Sequence, residues 1–297
     1  MVSKMGAWTL GDIPWDHFDA TKVNPELVPV VKAASMVEYN ADHYRQYLNN
    51  VFDGDERTCR AIDQWSIEEV QHGRALGHWA ELADPEFNFN RSFRRFVDKF
   101  NFPLEVTESV RGSRPGELVA RCMVETGTSS FYSALADATE EPVLKEICIR
   151  IAEDEFAHYC LFHSYMLRYL NAENLSLLER LRVAFDRVVE TEDDELASAY
   201  WAANGAGEHF DRRSNSIAYA RATLKYYKPK HIARGVEMIF GALGLNPLGP
   251  LGWTATRAMR AFIWYRGPFR LWLSVIGENL KVIHPTLLEV VRRLSAR

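Results

Sequence analysis

The chain of 297 residues is 47% hydrophobic and 25% charged, and its formal net charge is −5. This composition is ordinary for a folded protein, and it excludes a disordered chain, a collagen-like repeat and a small disulfide scaffold. The four cysteines form no Cys-x-x-Cys pair, and we find neither a signal-peptide core nor a run apolar enough to span a membrane. We therefore expect a reduced, cytoplasmic protein, with peripheral contact to a membrane left open.

The charge is unevenly distributed along the chain. Residues 207–297 contain 15 Lys and Arg against 5 Asp and Glu, whereas the first 206 residues contain 20 against 35. Such asymmetry indicates a basic face directed at an acidic partner, for which an acidic carrier protein, an anionic membrane surface and nucleic acid are the candidates. The alternative is an ordinary solvated helical surface.

Apolar residues recur at helical spacing in the first part of the chain, and no strand alternation is evident. Pro25, following Asn24, is typical of a first helical position. Breakers divide this part into four long predicted helices, with a long connection at 86–115 between the second and the third. The helices are predicted at about 25–50, 56–82, 115–139 and 142–170. A helix pair, a long crossover and a second helix pair favour an all-α fold, a ferritin-like four-helix bundle.

Shorter helical segments follow the four long helices. Asn174 is predicted to cap a fifth helix, and shorter or less regular elements follow it. They are a sixth helix at 192–203, a basic amphipathic helix at 211–227, a loop at 241–252, an Arg-aromatic segment at 257–274 and a last short helix from Pro285. We divide the chain into a bundle, residues 1–206, and a basic, aromatic helical region, residues 207–297, packed on that bundle.

Two Glu-x-x-His motifs lie on predicted long helices. They are Glu69-x-x-His72 and Glu155-x-x-His158, and residues three apart share one face of a helix. Glu38 precedes the first motif by 31 residues and Glu125 precedes the second by 30, so the pattern is an internal repeat. One carboxylate from each of two helices and one Glu-x-x-His from each of the other two is a carboxylate-bridged di-metal arrangement.

Four carboxylates balance the charge of two divalent ions. Mixed carboxylate and imidazole ligands suit iron, or manganese, whereas a tightly held structural zinc would favour cysteine. The alternative is that these are surface glutamates and unrelated histidines. Glu38 follows Met36-Val37 and Glu125 follows Met123-Val124, and a glutamate among apolar residues is costly unless it is paired or metal-bound.

The motifs resemble those of the soluble acyl-carrier-protein desaturases, within the wider ferritin-like di-iron superfamily, over about residues 30–170. They are Trp65-Ser-Ile-Glu68-Glu69-Val-Gln-His72-Gly73 and Ala152-Glu-Asp154-Glu155-Phe-Ala-His158. The resemblance implies that Glu69 and Glu155 bridge the metals. It also implies that Asp154 orients His72 and that Thr128 lies near the oxygen-binding side. Gln71 and Ala157 depart from the family, which usually has Arg before each histidine.

The resemblance implies an O2-dependent di-iron oxidoreductase that desaturates or hydroxylates an unactivated C–H bond of an acyl or other apolar substrate. No flavin or dinucleotide motif is present, so electrons would come from a separate protein such as ferredoxin. A homodimer is implied, and no nucleic-acid partner is expected. The alternatives are N-oxygenation, aldehyde cleavage and non-enzymatic iron handling as in ferritins. Ile151 stands where N-oxygenases of this type have an additional histidine.

Two further sets of residues have two interpretations each. Aromatic residues near the motifs either pack in the core or wall an apolar substrate channel; they are Phe131, Tyr132, Phe156, Tyr159 and Phe162. Arginines interleaved with C-terminal aromatic residues either dock a partner or membrane surface, or belong to a helical cover; they are Arg257, Arg260, Arg266 and Arg270.

Overall fold

The computed structural model describes residues 8–100, 105–189, 194–205 and 209–264. Within these ranges the protein is all-α and contains no strand, which confirms the all-α part of the predicted fold class. None of its helices combines the length and the apolar character needed to cross a bilayer.

Three 3-10 turns, within residues 10–22, precede the α-helices. These helices are α1 Val28–Tyr39, α2 Ala41–Val51, α3 Glu56–Ala83, α4 Phe89–Lys99, α5 Arg114–Ala138, α6 Pro142–Leu170, α7 Leu177–Val189, α8 Asp194–Asn204, α9 Arg212–Leu224, α10 Pro229–Leu243 and α11 Pro250–Trp264.

The predicted first helix is two helices, α1 and α2. The helix begins at Val28 rather than at Pro25, and Pro29 lies in its first turn. A start at Pro25 would place Pro29 where its missing N–H leaves the carbonyl of Pro25 without its helical hydrogen bond. The chain leaves helical geometry at Asn40, whose buried side chain bonds His43 (Oδ1 to Nδ1, 2.7 Å) and Glu195 (Nδ2 to Oε1, 3.4 Å).

The three other long helices form as predicted because each has a strong first turn. Asp55 caps α3 by accepting from Thr58 N at 3.2 Å, and Ser113 caps α5 by accepting from Gly116 N at 3.1 Å. Glu141 caps α6, where Pro142 is the first residue. Because only residues 139–141 separate α5 from α6, the two helices run antiparallel.

Glycine at residue 73 allows α1 and α3 to approach closely. A Cβ atom at Gly73 would lie 2.5 Å from the backbone nitrogen of Tyr39. That contact joins the turn that follows Glu38 to the turn that follows His72. A small residue is therefore required where the first helix pair meets.

The long connection contains a helix, α4, that we did not predict. Asn88 caps it by accepting from Arg91 N at 2.8 Å, and Phe96 is buried against α1 and α8. The predicted cap at Asn174 is also wrong. Ser176 caps α7 instead, because Ser176 and Glu179 form a reciprocal capping box.

The later helices pack on earlier ones. α10 lies against α5, and α9 lies against α8. The predicted loop at 241–252 is helical at both ends, since α10 continues to Leu243 and α11 begins at Pro250. Gly244, with φ 71°, ends α10 in the left-handed region that glycine tolerates. The predicted boundary at 206/207 and the helix from Pro285 lie outside the described residues.

Candidate metal centre

The six residues of the repeated pattern meet in the interior between α1, α3, α5 and α6. They form two overlapping groups whose potential ligand atoms lie within 4.8 Å of one another. The first group comprises Glu38, Glu69, His72 and Glu155, and the second comprises Glu69, Glu125, Glu155 and His158. None of these six residues is more than 7% exposed. Each group could hold a metal ion, and Glu69 and Glu155 belong to both.

Unsatisfied polar atoms mark the inside of both groups. The structure gives no hydrogen-bond partner to five buried atoms there: Glu69 Oε1, His72 Nδ1, Glu125 Oε1, Glu155 Oε1 and His158 Nδ1. Buried polar atoms are almost always paired, so five such atoms at one place fit a site that could hold a metal ion. The donor set of carboxylate oxygens and imidazole nitrogens fits iron or manganese.

The pKa values of Glu69, Glu155 and His158 are shifted in the directions expected for closely spaced carboxylates. Burial, followed by the charge of Glu38, raises the pKa of Glu69 to about 8. Burial and the charges of Glu69 and Glu38 raise the pKa of Glu155 well above its ordinary value. Burial lowers the pKa of His158, but the surrounding carboxylates outweigh it and raise this pKa well above normal. The raised pKa values of Glu69 and Glu155 favour their protonated forms, and bound divalent ions would displace those protons.

Each histidine is oriented by an acid from the opposite motif. His72 Nε2 lies 3.1 Å from Asp154 Oδ2, and His158 Nε2 lies 2.9 Å from Glu68 Oε2. A carboxylate at Nε2 favours a proton there, so Nδ1 is the nitrogen that would give up its proton and offer its lone pair to a metal ion. Both Nδ1 atoms lie among the carboxylates, with His72 Nδ1 3.4 Å from Glu155 Oε1 and His158 Nδ1 2.9 Å from Glu69 Oε1.

We did not predict the role of Glu68, although the repeat contains the signal for it. Glu68 immediately precedes Glu69, as Asp154 immediately precedes Glu155. The motif is therefore acid-Glu-x-x-His in both halves. Applying the role of Asp154 to its counterpart would have identified Glu68.

Trp8 is a second residue of the site that sequence analysis missed. Its indole Nε1 donates to Asp154 Oδ2 at 2.6 Å, and its ring stacks on that of His72 with centroids 5.9 Å apart. Gln71 Nε2 donates to the carbonyl of Trp8 at 3.0 Å. A residue 64 positions before His72 carries no sequence signal for this contact.

Thr128 and Tyr132 bond the carboxylates from α5. The Thr128 hydroxyl lies 2.5 Å from Glu155 Oε2, and the Tyr132 hydroxyl lies 2.5 Å from Glu38 Oε1. Burial and the charge of Glu38 raise the pKa of Tyr132 well above normal, so the phenol keeps its proton. Both hydroxyls hold a carboxylate oxygen in place.

A cavity of about 320 Å³ opens directly on the two groups. One wall of the cavity is formed by the four glutamates of the two groups together with Thr128. The remaining lining is mainly apolar and includes Val37, Met123, Val124, Phe131 and Leu224. Such a cavity suits a small molecule with an apolar body.

Only one of the five aromatic residues predicted near the motifs lines this cavity, and it is Phe131. Tyr132 is buried against Glu38, and Phe162 packs edge-on against Trp65. Tyr159 donates to the carbonyl of Met238 at 2.7 Å. Phe156 is 39% exposed, beneath Arg234. The core interpretation therefore applies to most of the set, because the cavity faces α1 and α5 rather than the outer face of α6.

The predicted docking arginines are only partly within the described residues. Arg257 and Arg260 are exposed on α11, with the Arg257 guanidinium 3.9 Å from the ring centroid of Trp253. Arg266 and Arg270 lie outside the described residues. The partner of this region stays a prediction.

Replacing Glu68 with glutamine tests the orientation of His158. We expect metal affinity to fall about 10–100-fold, because an amide no longer fixes the proton of His158 on Nε2. Asp154→Asn should have a similar effect through His72. Metal titration of both variants measures this, with exposed Glu153→Gln as the control. Unchanged affinity in Glu68→Gln would contradict the orienting role.

Comparisons with known proteins do not assign the chain to a family. No protein-family model matches the chain, and a search of curated proteins found no significant match. The functional argument therefore rests on the residues of the site.

Proposed function

We propose that this protein is an O2-dependent di-metal oxidoreductase that oxidises an unactivated C–H bond of an acyl or other apolar small molecule. One observation carries the proposal: two buried carboxylate–histidine groups share two glutamates and open on an apolar cavity. A centre for metal storage needs no enclosed apolar chamber at its ligands. Chemistry on an apolar substrate does need one.

The residues divide into ligands and supports. Glu38, His72 and the shared pair would hold one ion, and Glu125, His158 and the shared pair would hold the other. Two ferrous ions, or manganese, would supply the redox chemistry by which O2 is reduced and a C–H bond is cleaved. The protein's own contribution is a mainly apolar cavity beside ligands that are fixed in advance.

Thr128 is the polar group on the wall where the cavity meets the site. Its hydroxyl bonds Glu155 Oε2 and also lies 3.2 Å from the carbonyl oxygens of Val124 and Glu125. A hydroxyl in that position can exchange a proton with a carboxylate or with a molecule in the chamber. We assign Thr128 to this proton handling.

We further propose that α1–α2, α3, α5 and α6 form a ferritin-like bundle related to that of the acyl-carrier-protein desaturases. The antiparallel α5 and α6, the long connection before α5, and the pairing of ligands across four helices support this relation. By the same relation, the electrons would come from a separate donor protein, such as ferredoxin.

Iron loading tests the proposed function. After anaerobic addition of ferrous ion we expect two irons per chain, and a near-ultraviolet absorption change when O2 is added. Glu125→Ala should bind at most one iron and lose that change, because Glu125 belongs to the second group alone. Exposed Glu153→Ala, two residues before Glu155, should behave as the parent protein. No bound metal, or a single tightly held zinc, would overturn the proposal.

A further inference from the structure

Arg121 is a buried cation in the wall of the cavity. It lies on α5 one turn before Glu125, lines the chamber and is only 6% exposed. Its guanidinium lies over the rings of Tyr44 and Trp65, at 5.0 and 5.8 Å from their centroids. Arginine is almost never this buried without a carboxylate partner.

That partner is missing within the part of the chain that the structure describes. Arg121 forms no ion pair there, and its buried Nε has no hydrogen-bond partner. Aromatic faces offset only part of the cost of taking a guanidinium out of water. With two divalent ions bound, the four nearby carboxylates of the metal groups would be balanced by those ions and would not serve as counter-ions to Arg121.

The neighbouring acid is already occupied by other donors. Glu195 lines the same end of the cavity, together with Arg187. Its Oε2 accepts from the Tyr44 hydroxyl at 2.5 Å, and its Oε1 accepts from Asn40 Nδ2 at 3.4 Å. Glu195 thus has partners of its own and forms no ion pair with Arg121, so the guanidinium of Arg121 stays available to a molecule in the chamber.

We propose that Arg121 binds the carboxylate of the substrate, so that the substrate is a free organic acid with an apolar body. The inference rests on the proposed function and names its substrate class. A guanidinium fork matches a carboxylate with two parallel hydrogen bonds, and a buried pair of this kind is strongly selective. A thioester on a carrier protein has no such charge and would leave Arg121 unpaired.

The geometry also places the body of the acid. Arg121, Glu125 and Thr128 follow one another along one face of α5, and four residues advance a helix by about 6 Å. A carboxylate at Arg121 therefore puts the apolar part of a short acid between Val124, Phe131 and the metal groups. Oxidation would occur a few bonds from the carboxylate.

Binding of a matched set of eight-carbon probes tests the inference. Octanoate, octan-1-ol and the octanoyl thioester of N-acetylcysteamine are titrated calorimetrically into anaerobic, ferrous-loaded protein. We expect octanoate to bind most tightly, and Arg121→Met to weaken it about 100-fold while octan-1-ol binding changes little. Arg121→Lys should weaken octanoate about tenfold, because the charge stays but the fork is lost. Arg60→Met, at an exposed arginine of α3, is the control.

A stability measurement separates this role from a structural one. Without probe, Arg121→Met should melt no lower than the parent, since it removes an unpaired buried charge and keeps the side-chain volume. A lower melting temperature would show that Arg121 is a structural cation. Arg121→Lys answers the binding question if the methionine variant does not fold.

The possible failures are distinguishable because the iron content of the same samples is measured. Fewer than two irons per chain in the parent would overturn the proposed function. With two irons bound, the inference alone fails if octanoate binds no more tightly than octan-1-ol or the thioester. It also fails if Arg121→Met binds octanoate as tightly as the parent.

Discussion

Glu155→Gln should abolish binding of both metal ions, whereas Glu125→Ala should abolish binding of one. Glu155 belongs to both groups and Glu125 to the second only. Two sites filled at 100 times their dissociation constants would stabilise the protein by roughly 5 kcal/mol, or on the order of 10 °C in melting temperature. The glutamine variant should lose this gain. Iron analysis and melting curves with and without ferrous ion measure both effects.

The metal-free form of Glu155→Gln should melt no lower than the metal-free parent. The charges of Glu69 and Glu38 help raise the pKa of Glu155, so a neutral amide relieves unfavourable burial and repulsion. Glu153→Gln, on the exposed face of the same helix, should leave metal content and melting unchanged. If Glu155→Gln retains one iron and its stabilisation, the two groups do not share this residue.

Gly73→Ala should destabilise the protein by about 1–3 kcal/mol and weaken the first metal site selectively. The new Cβ would lie 2.5 Å from the nitrogen and 2.7 Å from the Cα of Tyr39. Backbone atoms cannot rotate aside, so α1 must move away from α3 and carry Glu38 with it. His72 Nδ1 already lies 3.8 Å from Glu38 Oε2, and a larger separation would weaken the binding of an ion held by both residues.

Gly127→Ala is the matched control for that experiment. Gly127 is also helical, but a Cβ there meets nothing within 4 Å. Alanine should stabilise α5 by up to about 1 kcal/mol through its helix propensity. Urea unfolding and iron stoichiometry of both variants separate the close approach at Gly73 from a general effect of alanine. Equal stability of the two variants would show that α1 does not depend on Gly73.

Much of the helical fold could be predicted because its signals are local. The bounds of α3, α5 and α6 differ from the predicted ones by at most one residue, since caps and apolar spacing mark both ends. The structure also brings together the six residues of the repeated pattern, while their role as ligands stays a prediction. Residues three apart on a helix must share a face, so this part of the site follows from the sequence.

The parts that were missed depend on contacts between distant residues. The break at Asn40 is held by Glu195, 155 residues away, and the support of Asp154 comes from Trp8, 146 residues away. In the sequence, Arg121 stands among ordinary helix-forming residues. Only the structure shows that it lines the cavity and that its Nε has no hydrogen-bond partner among the described residues. Local propensity contains no information on such contacts.

The exchange of acids between the motifs makes the two helix pairs depend on each other. Each helix pair supplies an acid whose histidine partner lies on the other pair, so one pair alone cannot complete the centre. A single Glu…Glu-x-x-His unit would have needed a second copy of itself, related by a two-fold axis through the shared glutamates. The present chain has the arrangement of such a two-fold dimer within one polypeptide. The two halves differ in what supports each acid, because an indole donates to Asp154 whereas an amide, that of Gln64, donates to Glu68.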